Sequence, residues 1–315
     1  MSEAAIRPPA FVLFNPHARG GQAAVRWGRI CGRLAERFDL SVTEAVSSER
    51  CRCAVRRAVE QGTRTFLAAG GDGTVNALLN ALVASRGSRP LSAFALGAVG
   101  LGSSNDFHKP YGRLVDGVPC RIDPSHARPR DVGVATIASP GVQAARRCFI
   151  VSASLGVTAE GNAFFNRGDG VARRLKRWWP AAAMGYAAMQ GILRHRNAEA
   201  TITVAGVAGH ALITNLSILK TAYVSGTLRF DTPVLPDDGR FAVNLCDGMG
   251  RLAAVRALFN LARGRFDGRP HCRHWRATHV DVELAEERTL ELDGEITSAS
   301  RVSFEILPER MSVCA

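Results

Sequence analysis

The 315-residue chain is 46% hydrophobic and 22% charged, enough apolar material for a full core and too much for a disordered or low-complexity protein. Its length points to two domains. The formal net charge of +12 attracts polyanions, whether nucleic acid, anionic headgroups or nucleotides, without choosing among them.

Phe11 to Phe14 is a short apolar strand that stops at Asn15-Pro16. A helical stretch follows from about Gln22 to Phe38. Thr65 to Ala69 is a second strand, ended by Gly70-Gly71. Val75 to Ala84 has helical spacing, with Leu78, Leu79 and Leu82 on one face, and Ala93 to Val99 is a third strand, ended by a Gly/Ser-rich loop. Strands alternating with helices imply a parallel sheet with crossovers. Near Asp131 the character changes. Thr201–Val204, Ala211–Leu216, Phe241–Leu245, Val280–Leu284, Thr289–Leu292 and Val302–Ile306 show period-two apolarity, which predicts an antiparallel β domain. Helices over roughly Val171–Arg194 and Arg251–Ala262 interrupt it. The boundary is placed at about residue 130, giving an α/β nucleotide-binding domain over 1–130 and a β-sandwich substrate domain over 131–315. The final strand is a candidate to return to the first domain, since termini often lie close together.

Eight cysteines are scattered without a CxxC pair, which reads as reduced thiols in a cytosolic protein. His271, Cys272 and His274 match no metal signature and are read as a surface loop. Met1 to Pro9 has no apolar core of the kind a signal peptide carries. Pro180 to Leu193, the longest weakly polar stretch, is too short to span a bilayer.

Three glycine-rich loops each follow a predicted strand of the first domain, where open parallel sheets bind ligands. The second, Gly70-Gly71-Asp72-Gly73-Thr74 followed by Val75-Asn76, is the most informative. Its glycines let backbone approach a ligand. The helix after Thr74 offers free N–H groups to phosphate, and Asp72 is suited to Mg²⁺. The first loop is Asn15-Pro16-His17-Ala18-Arg19-Gly20-Gly21. The third is Gly100-Leu101-Gly102-Ser103-Ser104-Asn105-Asp106-Phe107. Neither fits a Walker A or dinucleotide fingerprint, and taken alone each of these two reads first as a turn, since Gly/Ser/Asn loops mostly are.

The order Asn-Pro-x-x-x-Gly-Gly, Gly-Gly-Asp-Gly-Thr, Gly-Ser-x-Asn-Asp-Phe resembles the diacylglycerol kinase catalytic family, with its bacterial lipid kinase, sphingosine kinase and ceramide kinase relatives. Arg130-Asp131-Val132-Gly133, Leu235-Pro236-Asp237-Asp238-Gly239 and Leu292-Asp293-Gly294-Glu295 continue the resemblance across nearly the whole chain. The resemblance implies a Rossmann-like three-layer α/β domain, a C-terminal antiparallel β-sandwich and an active site in the cleft between them. It implies ATP held by Asn15, Pro16, Gly20, Gly21, Gly70, Gly71, Asp72, Gly73, Thr74, Asn76, Ser103 and Asn105. It implies Asp72, Asp106 and Asp131 in a catalytic Mg²⁺ network, and a structural Mg²⁺ at Asp238 with backbone oxygens around Leu235 and Arg240. Asp293 and Glu295 stand across from the nucleotide, one of them taking the proton of the acceptor hydroxyl, with Asp293 slightly favoured. Outside this constellation Asp238-Gly239 and Asp293-Gly294 read as hairpin turns. The sequence departs from the family where Ala77 replaces a common Glu, for which weaker or altered nucleotide binding or an unusual acceptor is expected, and where Ser103 replaces a Thr.

The expected activity is ATP-dependent phosphorylation of a lipid hydroxyl, on diacylglycerol, a sphingoid base or ceramide. The alternatives are a NAD kinase-like enzyme and a non-catalytic nucleotide- or lipid-binding relative. Arg173, Arg174, Lys176, Arg177, Trp178 and Trp179 combine cations with tryptophan on an amphipathic helix suited to an anionic membrane interface; packing of that helix on the β domain reads equally well. The expected location is the cytoplasm, with transient contact at the inner membrane surface. Nucleic acid is not expected as a partner, and a homodimer is left open.

Overall fold

A computed structural model describes residues 7–139 and 142–315. In its first part β1 (Pro9–Phe14), α1 (Ala23–Ala35), β2 (Asp39–Glu44), α2 (Ser48–Glu60), β3 (Thr65–Gly70), α3 (Asp72–Ser85) and β4 (Ala95–Gly100) follow one another. The four strands pair in parallel in the order β2-β1-β3-β4. Every residue of β3 is buried, as a parallel strand covered on both faces requires. α1 turns Trp27, Ile30 and Leu34 inward, and Trp27 stacks on Phe14 with ring centroids 5.2 Å apart.

The periodicity missed β2 and α2. β2 is a sheet edge with no fully buried residue. α2 carries its apolar residues thinly, at Cys51, Val55, Ala58 and Val59 among charges. Its N-terminus is nonetheless marked by Ser47, whose Oγ accepts the Arg50 N–H at 3.3 Å.

The strand Met311–Val313 lies parallel to β4, with Ser312 opposite Ala95, and Arg128–Arg130 pairs on its other side. The chain accordingly divides into one unit that runs up to Pro129 and includes Glu309–Ala315, and a second unit of Arg130–Pro308.

The second unit is built on a nine-stranded antiparallel sheet. The path runs through Cys272–Ala277, Phe241–Asp247, Val207–Leu219, Ser152–Gly156, His279–Leu292, Glu295–Ile306, Gly133–Ser139 and Val142–Phe149, while Ala198–Val204 pairs with both Val207–Leu219 and His279–Leu292. Phe149 stacks on Phe241 at 5.6 Å and meets Phe304 edge-on, inside a cluster of Val, Ile, Leu and Ala side chains. Its helices are α4 (Val157–Arg167), α5 (Gly170–Trp178), α6 (Pro180–Arg194) and α7 (Arg251–Ala262).

Three expectations are corrected here. The helix predicted over 171–194 is two helices, because Pro180 lacks the N–H that would continue the ladder and Trp179 leaves helical geometry at φ −136°, ψ 78°. The separate strands predicted at 280–284 and 289–292 are one strand with a register shift between Glu283 and Arg288. The segment at His271-Cys272-His274 is not a loop: Cys272–Ala277 forms the sheet's edge strand, paired with Phe241–Asp247.

Candidate active site

In the first unit the three glycine-rich loops sit at the carboxyl ends of β1, β3 and β4 and are tied together by hydrogen bonds. The Gly70 carbonyl accepts from Leu101 N at 2.8 Å and Gly102 N at 3.1 Å, which docks the third loop on the end of β3. Asn15 N donates to the Ala69 carbonyl at 2.9 Å, and Asn15 Nδ2 makes a long 3.5 Å contact with Thr74 Oγ1. Two glycine backbones approach closely here. A Cβ on Gly102 would fall 2.4 Å from the Gly71 Cα, so only glycine lets these backbones pass.

Asp72 locks this junction. Its Oδ2 accepts the Asp106 N–H at 3.0 Å and its Oδ1 accepts the Phe107 N–H at 2.9 Å. Asn105 supports the same turn from inside. It adopts left-handed φ and ψ of 52° and 43°, accepts Gly102 N at 3.0 Å, and donates to the carbonyls of Gly100 and Gly102 at 3.2 and 3.0 Å. Gly71 caps α3 in an extended conformation, so the first N–H groups of α3 open onto this edge, where anions are stabilised. Arg19, Gly20 and Gly21 all take positive φ, which turns the first loop sharply back toward α1. Ser103 is half-buried in the third loop, while Asn76 is buried on α3. Asp106 is buried, and its Oδ1 lies 2.7 Å from Lys109 Nζ.

Asp131 belongs to the second unit. It is 1% exposed, and its Oδ2 accepts the Gly239 N–H at 2.6 Å and the Lys220 ammonium at 2.8 Å. Lys220 is 2% exposed. Its Nζ also reaches the Leu235 carbonyl at 2.8 Å, the Arg240 carbonyl at 2.8 Å and Asp238 Oδ1 at 3.1 Å. These are the oxygens at which a structural Mg²⁺ was expected; the structure places a lysine ammonium among them. Burial draws Lys220 below its usual value, and the hydrogen bond and charge of Asp131 push back. Sequence reasoning missed Lys220. The available signal was composition: of forty Lys and Arg residues only Lys109, Lys176 and Lys220 are lysine, and two of these three are buried against aspartates.

Asp293 and Gly294 are the two central residues of the hairpin between His279–Leu292 and Glu295–Ile306, with φ of 49° and 90°, the left-handed pair that such a turn demands. The Asp293 side chain is 2% exposed and turned inward. Its Oδ2 accepts Ile150 N at 2.8 Å, and its Oδ1 accepts Val151 N at 2.8 Å and Ser152 N at 2.9 Å. Glu291, also unforeseen, braces the turn: its Oε2 accepts the Ser154 hydroxyl at 2.5 Å and its Oε1 accepts the Gly294 N–H. Glu295 presents an accessible edge, yet protein atoms crowd its carboxyl. That burial holds it above the usual glutamate value, with Arg147 pulling the other way.

On the amphipathic segment, Trp179 is 71% exposed and Val171 and Leu193 are exposed as well; Arg174 is also exposed. The side chains of Arg173, Lys176, Arg177 and Trp178 lie outside the described residues. No helix among the described residues is long and apolar enough to cross a membrane. Nor, among the described residues, does any group of three or more His, Cys, Asp or Glu form a metal cluster.

The chain thus carries a parallel α/β unit with three interlocked glycine loops and, further along, an antiparallel β unit with an Asp-Gly-Glu hairpin. The chain belongs to the diacylglycerol kinase catalytic-domain family. Residues 9–127 match the diacylglycerol kinase catalytic domain, and residues 152–315 match the YegS C-terminal NAD kinase beta sandwich-like domain. A crystal structure of a diacylglycerol kinase from Bacillus anthracis str. Sterne is 18% identical with a TM-score of 0.67, covering 97% of this chain and 96% of that one. Another, titled as a candidate diacylglycerol kinase from the same strain, is 17% identical with a TM-score of 0.71 over the same shares. At these identities the likeness is one of fold. A yeast NADH kinase complexed with NADH matches at 10% identity and a TM-score of 0.48, over 99% of this chain and 84% of that one, and carries no argument. Among the curated proteins none matches.

Proposed function

We propose that this protein transfers the γ-phosphoryl group of ATP to the hydroxyl of a lipid, with diacylglycerol, a sphingoid base or ceramide as acceptor classes. The observation that carries the reading is the Asp72 junction. One carboxylate fixes the third loop against the second at the N-terminus of α3, which leaves the first N–H groups of that helix beside an acidic residue. Phosphoryl transfer depends mainly on such positioning and on neutralising charge. Mg²⁺ fits this donor set, because it takes one or two carboxylates and completes its shell with phosphate oxygens and water. Asp72 is the residue that would hold it, through the lone pairs left beside the Asp106 and Phe107 N–H bonds, whereas Asp106 is already paired with the Lys109 ammonium; the ion would neutralise charge on the transferred group.

Asp293 and Glu295 divide the work in the second unit. The Asp293 carboxylate is engaged by three backbone N–H groups, so Asp293 is a positioning residue that fixes the hairpin onto Ile150–Ser152. Glu295, whose carboxyl is held above the usual range by burial, is the better proton acceptor for the hydroxyl. The exposed Trp179, Val171 and Arg174 support docking at an anionic membrane surface, where amphipathic segments with tryptophan and cations settle.

The reading is tested by transfer of labelled phosphate from ATP to a lipid panel in mixed micelles, comparing the wild type with Asp72→Ala. Labelling of a lipid by the wild type and its loss in the variant is the expected result. A wild type that binds ATP and labels no lipid overturns it.

A further inference from the structure

The turn at Leu235–Arg240 has the composition of a cation site. Two backbone carbonyls, of Leu235 and Arg240, and two carboxylates, of Asp131 and Asp238, converge on one point within the second unit. Acidic side chains and carbonyls at such a turn normally signal a hard divalent ion. The point is filled by a part of the chain itself. Lys220 follows the strand Val207–Leu219, is fixed there by its own N–H on the Val151 carbonyl at 2.9 Å, and delivers its ammonium to all four oxygens at 2.8–3.1 Å. Those separations are hydrogen-bond lengths; Mg²⁺ requires about 2.0–2.1 Å.

Charge points the same way. Asp131 and Asp238 supply two negative charges. Lys220 supplies one positive charge, and Arg276, whose guanidinium abuts Asp238 Oδ2, supplies the other. These four contacting groups balance one another, and Asp237, whose charge also reaches Lys220, adds a further negative charge nearby. A divalent ion would bring surplus positive charge beside a lysine that is 2% exposed, where unpaired charge is costly. The donors are also already spoken for: Asp131 Oδ2 receives Gly239 N as well as Lys220, and Asp238 Oδ1 receives Arg240 N.

We infer that the Lys220 ammonium is a built-in replacement for a structural cation, so that the second unit folds and keeps Asp131 and the Leu235–Arg240 turn in register without any divalent metal. Any metal dependence of this protein then comes with the nucleotide alone. The inference does not rest on the kinase reading, because its readouts are stability and metal binding.

The test uses the full chain without nucleotide. Thermal unfolding is measured in excess EDTA and in millimolar Mg²⁺, for the wild type and for Lys220→Met, which keeps the length of the side chain and removes its charge. The wild type is expected to melt at the same temperature in both buffers. Lys220→Met is expected to melt about 6–20 °C lower, the range for breaking a buried ion pair in a unit of this size; failure of the variant to fold counts as the same loss. In parallel, Mn²⁺ binding to the wild type is followed by electron paramagnetic resonance, with Asp238→Asn as the comparison. No bound Mn²⁺ that depends on Asp238 is the expected result. A wild type that Mg²⁺ stabilises and that binds one Mn²⁺ lost in Asp238→Asn overturns the inference, as does a Lys220→Met protein that melts with the wild type.

Discussion

Replacing Gly102 with alanine tests whether the loop junction depends on the contact of two bare backbones. The new Cβ would stand 2.4 Å from the Gly71 Cα, 3.1 Å from the Gly71 N and 3.0 Å from Asn105 Oδ1. Carbon atoms in ordinary contact need about 3.5–4.0 Å, so the loops must part by about 1 Å. Gly71 is the N-cap of α3, and parting them there moves the start of the helix and Asp72 with it. Overpacking of this kind costs about 1–3 kcal/mol, a fall in Tm of roughly 3–12 °C. A displacement of about 1 Å at a phosphate-positioning site also costs on the order of 100-fold in rate. The assay pairs a thermal melt with titration of a fluorescent ATP analogue. Gly112→Ala serves as control, since a Cβ there meets nothing within 4 Å, and it should stay within about 0.5 kcal/mol of the wild type. If Gly102→Ala melts with the control and binds the analogue with unchanged affinity, the account of the junction is wrong.

Asp293→Asn puts an amide NH₂ where a carboxylate oxygen met N–H donors, and it should cost about 1–3 kcal/mol for each donor left without an acceptor; urea unfolding reads this directly. Glu295→Gln should retain stability and lose about 10²–10⁴-fold in turnover, whereas equal loss of folding in both variants would erase the division of labour drawn between them. Because Glu295 is raised above its ordinary 4.5 and works as a base, the acidic limb of kcat/KM should sit above that value and vanish in Glu295→Gln. The same raised group favours its protonated form when folded, so its contribution to stability is present at low pH and is lost as pH rises through its folded value. Under native conditions a thiol reagent at neutral pH should label the exposed Cys53 and spare Cys120 and Cys314, which burial pushes up to about 11 and about 12; mass spectrometry of the labelled peptides checks this.

The parts of the fold that show in the sequence are those where one force dominates. β3 is apolar from Phe66 to Ala69 because both its faces are covered, and the Gly-Gly pair of its turn shows because close packing there leaves little room for side chains. β2 and α2 stay hidden because an edge strand and an arginine-rich helix bury too little for periodicity to register. The glycine loops and the Asp-Gly-Glu hairpin could be picked out as motifs, but the direction of a side chain could not. Asp293 faces inward onto three N–H groups, a fact set by the fold around Ile150–Ser152, far away in sequence. Lys220 stayed hidden for the same reason: nothing in its neighbours Leu219 and Thr221 announces that its ammonium ends among oxygens from Asp131 and the Leu235–Arg240 turn.

The strand Met311–Val313 has a consequence for how the protein is made. On the ribosome, β1 to β4 and the strand Val118–Arg121, which pairs with Ala98 and Val99 at one end of β4, emerge early, yet the strand that pairs with Ala95 and Leu96 at the other end emerges only after the whole second unit. Until then that end of β4 offers unpaired N–H and C=O groups, and such an open edge invites pairing with other chains. The nascent first unit therefore has to wait, incomplete, through the synthesis of its companion. A gene fragment cut near residue 129 would keep the Val118–Arg121 pairing and leave the Ala95–Leu96 end of that edge permanently bare.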